Sequence, residues 1–423
     1  MRTESTMLSP PARPSGPASG AESPGTKAAS AHETSPARSA GRRVLVAMSG
    51  GVDSSVAAAL LQEQGWEVAG VTFKLFCYGE SGKEERACCG LEGVRDAQSV
   101  AARLQIPHTV LDMVDLFRER VLNDFATEYG RGRTPNPCVQ CNTHVKFGPL
   151  LSWARRHGYS KVATGHYVRS SPCVVAGEET VLLGQPADPE KDQSYVLWGV
   201  PAEVVRHTLF PLGDLAKGEV RARARGLGLS VWDKQDSQDI CFVDGRGYVE
   251  VLREMLGDEH ALFQPGTVRT AAGEVKGRHP GLVHYTVGQR RKIGVTHAEP
   301  LHVTRLEPET NTLVVGSAAE LLTWELEAEE VNLFVPPEHL LADVVEVKIR
   351  YRHPPAPARV QWLGENRLRV TFDTPQRAVA PGQSCVVYRD GLVLAGGRIR
   401  PSSPGELPRS SRPRGPRGPG SDA

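Results

Sequence analysis

Ser49-Gly50-Gly51-Val52-Asp53-Ser54 is the stretch that decides the fold of this chain. The run before it, Val44-Leu45-Val46-Ala47-Met48, has the composition of a buried strand, and Ser55 to Gln64 after it reads as a helix. A strand ending in a glycine turn that opens a helix is a phosphate-binding device. Backbone N–H groups point outward at the turn, and the helix start adds partial positive charge. The two glycines let the backbone approach an anion closely. No Lys-Ser or Lys-Thr pair follows, so the kinase-type G-x-x-x-x-G-K-[ST] loop is excluded. The plain alternative is an ordinary strand–turn–helix corner. Strand, turn and helix all fall where the phosphate motif needs them.

Working outward, strand and helix signals alternate from Arg43 to about Leu212. Val68 to Phe73, His108 to Leu111 and Lys161 to Thr164 read as strands. Glu92 to Leu104, Leu116 to Tyr129 and Phe147 to His157 read as helices, and 217–229 as a further one. This alternation predicts a doubly wound parallel sheet, an α/β fold whose ligands bind at the carboxyl ends of the strands. Phe263 to Val303 is rich in Gly and short strands. Beyond Val303 six short strand signals, with turns at Gly364-Glu365-Asn366 and Asp390-Gly391, predict a small all-β barrel. The expected division is 1–42 as a low-complexity disordered extension, 43–246 as the catalytic domain and 247–302 as a small central domain. Residues 303–400 form the barrel and 401–423 a disordered tail.

The chain has 423 residues, enough for two or three folded units. Its 50 Lys+Arg against 49 Asp+Glu give a net charge of only +1, which excludes general coating of nucleic acid and leaves a local basic face open. No apolar run reaches the ~20 residues a bilayer span needs, so no membrane association is expected. Residues 1–42 lack the apolar segment of a secretory signal. Glu4, Glu22, Glu33 and the prolines argue against a mitochondrial presequence, and Met7 offers an internal start. A cytoplasmic location is expected over the mitochondrial matrix. The eight cysteines are spread through the chain, which points to reactive or metal-binding thiols rather than a disulfide framework.

Arg131-Gly132-Arg133-Thr134-Pro135-Asn136-Pro137-Cys138-Val139-Gln140-Cys141-Asn142 carries a C-x-x-C pair. Its prolines predict a rigid, non-helical loop that presents Cys138 and Cys141 together. Such a pair is a metal half-site, a redox pair or chance. Cys241, in Asp236-Ser237-Gln238-Asp239-Ile240-Cys241-Phe242, reads on its own as a packing residue. His166, at the end of Ala163-Thr164-Gly165-His166-Tyr167, reads alone as structural, and Lys191-Asp192-Gln193 as a solvated loop.

Together these pieces carry a resemblance. SGGVDS resembles the pyrophosphate loop of ATP pyrophosphatases. SGGVDS, RTPNPCVQCN, ATGHYVR, KDQSY, DSQDICF, HYTVGQR, IRYR and PGQS occur in the order seen in the tRNA-specific 2-thiouridylases, from about Arg43 to Ile399. The resemblance implies a PP-loop, Rossmann-like ATP-pyrophosphatase domain, a small central domain and a carboxyl-terminal β-barrel. It implies adenylation of the C2 oxygen of wobble uridine by ATP with Mg2+, then sulfur transfer with loss of AMP. Cys241 would carry a persulfide received from a donor or relay protein. Cys141 would be the nucleophile that releases sulfur through a disulfide with Cys241. Ala47, Met48, Ser49, Gly50, Gly51, Val52, Asp53, Ser54, Phe73 and Gly165 would hold ATP. Asn136, Pro137 and Cys138 would line the target base. His166, Lys191, Asp192, Gln193, Arg350, Tyr351 and Gln383 would touch tRNA.

Cys138 stands where part of the family carries an aspartate. Cys138 is then either a replacement for that acid/base group or part of a second route, in which Cys138, Cys141 and Cys241 ligate a [4Fe-4S] cluster with one open iron. Zinc with His144 as fourth ligand ranks below it, because zinc offers no sulfur chemistry. Rival readings of the chain are another PP-loop ligase, which needs no thiols, and a non-catalytic tRNA-binding protein, which needs no intact phosphate loop. A composite basic face is expected from Arg131, Arg133, Lys146, Lys191, Arg350 and Arg352.

Overall fold

Continuous burial along Arg43–Ala47 and Glu67–Lys74 marks strands covered on both faces, as a parallel sheet between helix layers requires. The computed structural model describes residues 42–76, 91–236, 240–243, 246–295, 299–341 and 344–401. The disorder expected for residues 1–41 and 402–423, and Cys77, Cys88 and Cys89, lie outside the described residues.

Strands β1 (Arg43–Ala47), β2 (Glu67–Lys74), β3 (His108–Asp112) and β4 (Lys161–Thr164) belong to this sheet. A hairpin of β5 (Arg169–Val175) and β6 (Glu178–Gly184) intervenes before β7 (Thr208–Leu209). The sheet order is β3-β2-β1-β4-β7, all parallel. The order reverses between β1 and β4, which is where a ligand crevice opens in such sheets. The helix Val52–Glu63 leaves β1 at that point.

β8 (Gly266–Thr270), β9 (Val275–His279), β10 (His302–Glu307) and β11 (Thr312–Gly316) form a second sheet in the order β10-β11-β8-β9. β10 and β11 therefore pair with the central segment rather than with the strands that follow them. β12 (Leu322–Leu333), β13 (Val345–Lys348), β14 (Ala356–Gly364), β15 (Arg367–Arg377), β16 (Ser384–Arg389) and β17 (Leu392–Ile399) run β12-β15-β14-β13-β16-β17, and β12 pairs with β17 to close the ring. Alternating burial along β14 and β15 gives this barrel its apolar interior. Glu365-Asn366 and Asp390-Gly391 have positive φ at both positions, the geometry of tight hairpin turns. The hairpin β5–β6, which the sequence pattern did not reveal, hooks onto the barrel through Gly184 and Leu392.

The expected helix from Leu116 to Tyr129 is real, but a π-helical turn at Arg118–Leu122 interrupts it. The expectation of a non-helical loop around both cysteines fails. Pro137 is the first residue of a helix, Pro137–Gln140, that continues as π-helical turns over Cys141–Phe147 and then as Gly148–Arg156. A proline at the first helical position lacks only an N–H that would have no partner there, so it starts a helix as readily as it ends one.

Candidate active site

The phosphate loop leaves β1 at its carboxyl end. Gly51 caps the helix Val52–Glu63 with no side-chain hydrogen bond, so the first-turn N–H groups lack intrahelical acceptors. Gly50 has φ +74, and a Cβ there would run into the carbonyl of Gly93. The Ser49 N–H donates to Ser54 Oγ at 3.1 Å, tightening the turn. Gly165, at the end of β4, lies against the same loop: a Cβ on it would stand 2.6 Å from Ser54 N and 2.7 Å from Asp53 C. Its missing side chain thus lets the end of β4 pack against the first turn of the helix Val52–Glu63. Met48 is buried, with its carbonyl accepting from Thr72 Oγ1 at 2.7 Å. Phe73 is buried in the sheet core.

Asp53 is the hub of this loop. Tyr167 donates its hydroxyl to Asp53 Oδ1 at 2.8 Å. Lys217 Nζ sits 2.7 Å from Asp53 Oδ1 and 2.8 Å from Oδ2, and 2.8 Å from Asp236 Oδ1. Asp236 also pairs with Lys191 at 2.9 Å and Arg221 at 3.2 Å. Burial opposes the charge on Asp236, but Lys217 and Lys191 outweigh it and hold its carboxyl below the usual range. Burial and the neighbouring Asp53 both raise the Tyr167 hydroxyl, which stays protonated and donating. The sequence analysis did not identify Lys217. It opens the helix Lys217–Gly226, in no motif, and its only local signal is a lysine at a helix start, where cations are disfavoured.

A second group gathers around Cys138, which is exposed. The Tyr351 hydroxyl is raised by burial and by Asp192, and it lies within the fields of Arg352, Lys191 and Cys138. Lys191 is raised first by its hydrogen bond to Asp236, and it also feels Asp53. Cys138, the pair Lys191 and Asp192, and the pair Tyr351 and Arg352 come from three separate segments. Others of the expected tRNA set are engaged within the protein. Asp192 is buried and accepts from Ser194 N at 2.9 Å and Ser194 Oγ at 2.6 Å, with Lys348 at 3.5 Å. Gln193 Oε1 accepts from Tyr167 N at 2.8 Å. His166, hydrogen-bonded to Thr164 Oγ1 at 2.9 Å, is pushed down to about 3 by burial and by Lys146, so it is neutral at physiological pH. Arg350 donates to the Arg377 carbonyl at 2.7 Å, and burial lowers its pKa. Gln383 donates to the Thr134 carbonyl at 2.8 Å. Of the expected basic face, Arg133 is committed to Glu128 and Glu329.

Cys141 and Cys241, a hundred residues apart, share one apolar cluster. Cys141 is a buried member of it, and Cys241 packs against it from the edge. Phe242, next to Cys241, stacks edge-on against Phe117 and Phe125 of the same cluster. Both thiols that the resemblance pairs thus border the same large apolar core. Among the described residues, no three His, Cys, Asp or Glu side chains gather as metal ligands, so a cluster on Cys138, Cys141 and Cys241 gains no support. Cys138 points to solvent and Cys141 into the core. No helix of the described residues is long and apolar enough to cross a membrane.

Three family descriptions match consecutive parts of the chain: a tRNA methyl transferase HUP domain at 42–245, a tRNA methyl transferase PRC-barrel domain at 254–317, and an aminomethyltransferase beta-barrel domain at 323–399. The tRNA-specific 2-thiouridylase MnmA of Methylorubrum extorquens is 45% identical over 365 residues, 85% of this chain and 93% of that protein. The protein of the same name from Acetivibrio thermocellus is 43% identical over 362 residues, 85% of this chain and 99% of that one. Among solved structures, a 4-thiouridine synthetase–RNA complex with bound ATP aligns at a TM-score of 0.30 and 18% identity over 51% of either chain, too slight a likeness to carry an argument. Identity at this level, spread over the parallel sheet, the central sheet and the closed barrel alike, places the chain in the tRNA-specific 2-thiouridylase family.

Proposed function

We propose that this protein uses ATP to replace the C2 oxygen of a tRNA uridine by sulfur. The observation that carries the reading is one continuous ion-pair chain, Asp53–Lys217–Asp236–Lys191. It joins the phosphate loop to the segment that leads into Cys241 and to Lys191, whose charge, like that of Cys138, reaches Tyr351.

In the first half-reaction the uridine C2 oxygen attacks the α-phosphorus of ATP, and pyrophosphate leaves. The first-turn N–H groups of Val52–Glu63 and the Lys217 ammonium are donors for the phosphates, and Asp53 would hold the Mg2+ that accompanies them. Asn136, Pro137 and Cys138 border the base, with Tyr351 and Lys191 beside them. In the second half-reaction the terminal sulfur of a Cys241 persulfide attacks C2, and AMP leaves with the electron pair of the C2–O bond. The Cys141 thiolate then attacks Cys241 Sγ, which releases 2-thiouridine and leaves a Cys141–Cys241 disulfide. A two-electron thiol reductant restores both thiols, and a persulfide donor reloads Cys241. That Cys141 and Cys241 border the same apolar core is compatible with this pairing. The cluster route with Cys138, Cys141 and Cys241 as iron ligands has no comparable support, and no step is routed through it.

The test is pyrophosphate release from ATP by the purified protein with and without unmodified tRNA, followed by thionucleoside analysis of the tRNA. Release that depends on tRNA, with 2-thiouridine formed when a persulfide donor is supplied, is the expected result. Release with another acceptor would identify a different ligase, and tRNA binding with no release a binding protein. Full activity in iron-free protein separates the persulfide route from the cluster route.

A further inference from the structure

The barrel grips the segment that carries Asn136, Cys138 and Cys141. The turn between β15 and β16 reaches across to it. Thr134 N donates to the Pro381 carbonyl at 2.8 Å, and Gln383 Nε2 donates to the carbonyls of Thr134 at 2.8 Å and Pro135 at 3.4 Å. Gly382 lies between them with φ +88, and a Cβ there would stand 2.9 Å from both Thr134 N and Arg133 Cβ. Only glycine allows this approach without strain. The turn is itself fixed to the end of β17: Gly382 N donates to the Ile399 carbonyl at 2.9 Å, and Ile399 N to the Gln383 carbonyl at 2.8 Å.

An ion-pair cluster lies beside the turn. Arg398 of β17 is almost wholly buried and reaches Asp124 at 2.9 Å, Glu128 at 3.0 Å and Glu330 at 3.2 Å. Glu128, also buried, lies in the last turn of the helix from which the gripped segment departs, and Arg133 bridges it to Glu329 of the barrel. The segment therefore hangs between two points, both set by the barrel: a charged anchor before it and a backbone clasp along it. Pro137 then starts the helix that carries the cysteines.

We propose that Gly382 and Arg398 are positioning residues for the reaction: the barrel sets the place of Asn136, Cys138 and Cys141 through this clasp. The kinetic part rests on the thiolation reading above. The clasp makes Gln383 a brace for the segment in the RNA-free protein, whatever it touches when tRNA is bound.

The experiment compares wild type with Gly382→Ala and Arg398→Lys. The second variant keeps charge and stem but loses the three-way fork, and it serves if the first does not fold. Two quantities are read in protein whose thermal melt is cooperative. One is tRNA-dependent pyrophosphate release as separate kcat and KM for tRNA. The other is the rate at which iodoacetamide alkylates Cys141 in the RNA-free protein, resolved by peptide mass. A displacement of the segment by ~1 Å is expected to lower kcat by ~10- to 100-fold with KM for tRNA within about threefold, and to speed Cys141 alkylation at least ~10-fold. A loss confined to KM, or unchanged kcat with unchanged Cys141 alkylation, overturns the proposal. Wild-type protein that releases no pyrophosphate would overturn the thiolation reading instead, and the alkylation rates alone would then decide whether the clasp exists.

Discussion

Lys217→Met removes the ammonium that bonds to both Asp53 and Asp236. The lysine touches three carboxylate oxygens within 2.8 Å, and its side chain is 12% exposed. Without it the two carboxylates face each other, and at ~5 Å with an effective dielectric of ~20 they repel by about 3 kcal/mol. Asp236 keeps Lys191 and Arg221, and Asp53 keeps Tyr167, which offsets part of this. An exposed pair contributes about 1 kcal/mol or less and a half-broken buried pair costs about 3–5 kcal/mol, so a stability loss of about 2 kcal/mol is expected. The effect on the reaction should be larger. Removing one preorganised cation from charge that develops on a phosphate costs ~100- to 1,000-fold in kcat. The assay is tRNA-dependent pyrophosphate release at saturating ATP and tRNA, with urea denaturation on the same preparation. A folded Lys217→Met protein with a rate within about threefold of wild type would refute the reasoning, because Lys217 would then be only a structural tie for Asp53.

Other consequences follow from the same geometry. Asp53→Ala should abolish pyrophosphate release while the protein stays folded, since Lys217 retains Asp236 as a partner; near-normal thiolation would remove Asp53 from the mechanism. Cys141→Ser and Cys241→Ser should each abolish 2-thiouridine formation, read by thionucleoside analysis, while Cys385→Ser, a barrel-core thiol that burial pushes up to about 12, should retain it. His166 contributes an acid-side instability. Its folded pKa of about 3 lies below the unfolded value, so the unfolded chain binds the extra proton between about pH 6.5 and 3, and stability falls with falling pH there by up to about 1.4 kcal/mol per pH unit. His166→Gln should flatten that slope in urea titrations run from pH 7 to pH 5, and an unchanged slope would remove His166 as its source.

The local parts of this protein were legible in the sequence. Val44 to Met48, the double glycine and the following helix form a strand–turn–helix unit whose conformation depends on neighbours a few residues away. Periodicity and turn chemistry therefore specify it. The same holds for the hairpin turns at Asn366 and Gly391, where positive φ selects the residues. The ordered motifs were legible too, and they implied the family before any contact was seen. The tertiary structure decided whatever depends on pairing between distant segments. Lys217 meets Asp53 across 164 positions, and nothing in Ala216-Lys217-Gly218 signals it. β5 and β6 look like any exposed hairpin until β17 takes them up. Pro137 could end a loop or begin a helix, because a missing N–H is compatible with both, and the packing of Val139, Val145 and Phe147 into the cores selects the helix. Cys141 and Cys241 border one core only through tertiary packing, with Phe242, next to Cys241, set against Phe117 and Phe125. Charge and burial act through space, so residue order names the groups that can react, while the fold decides which of them face one another.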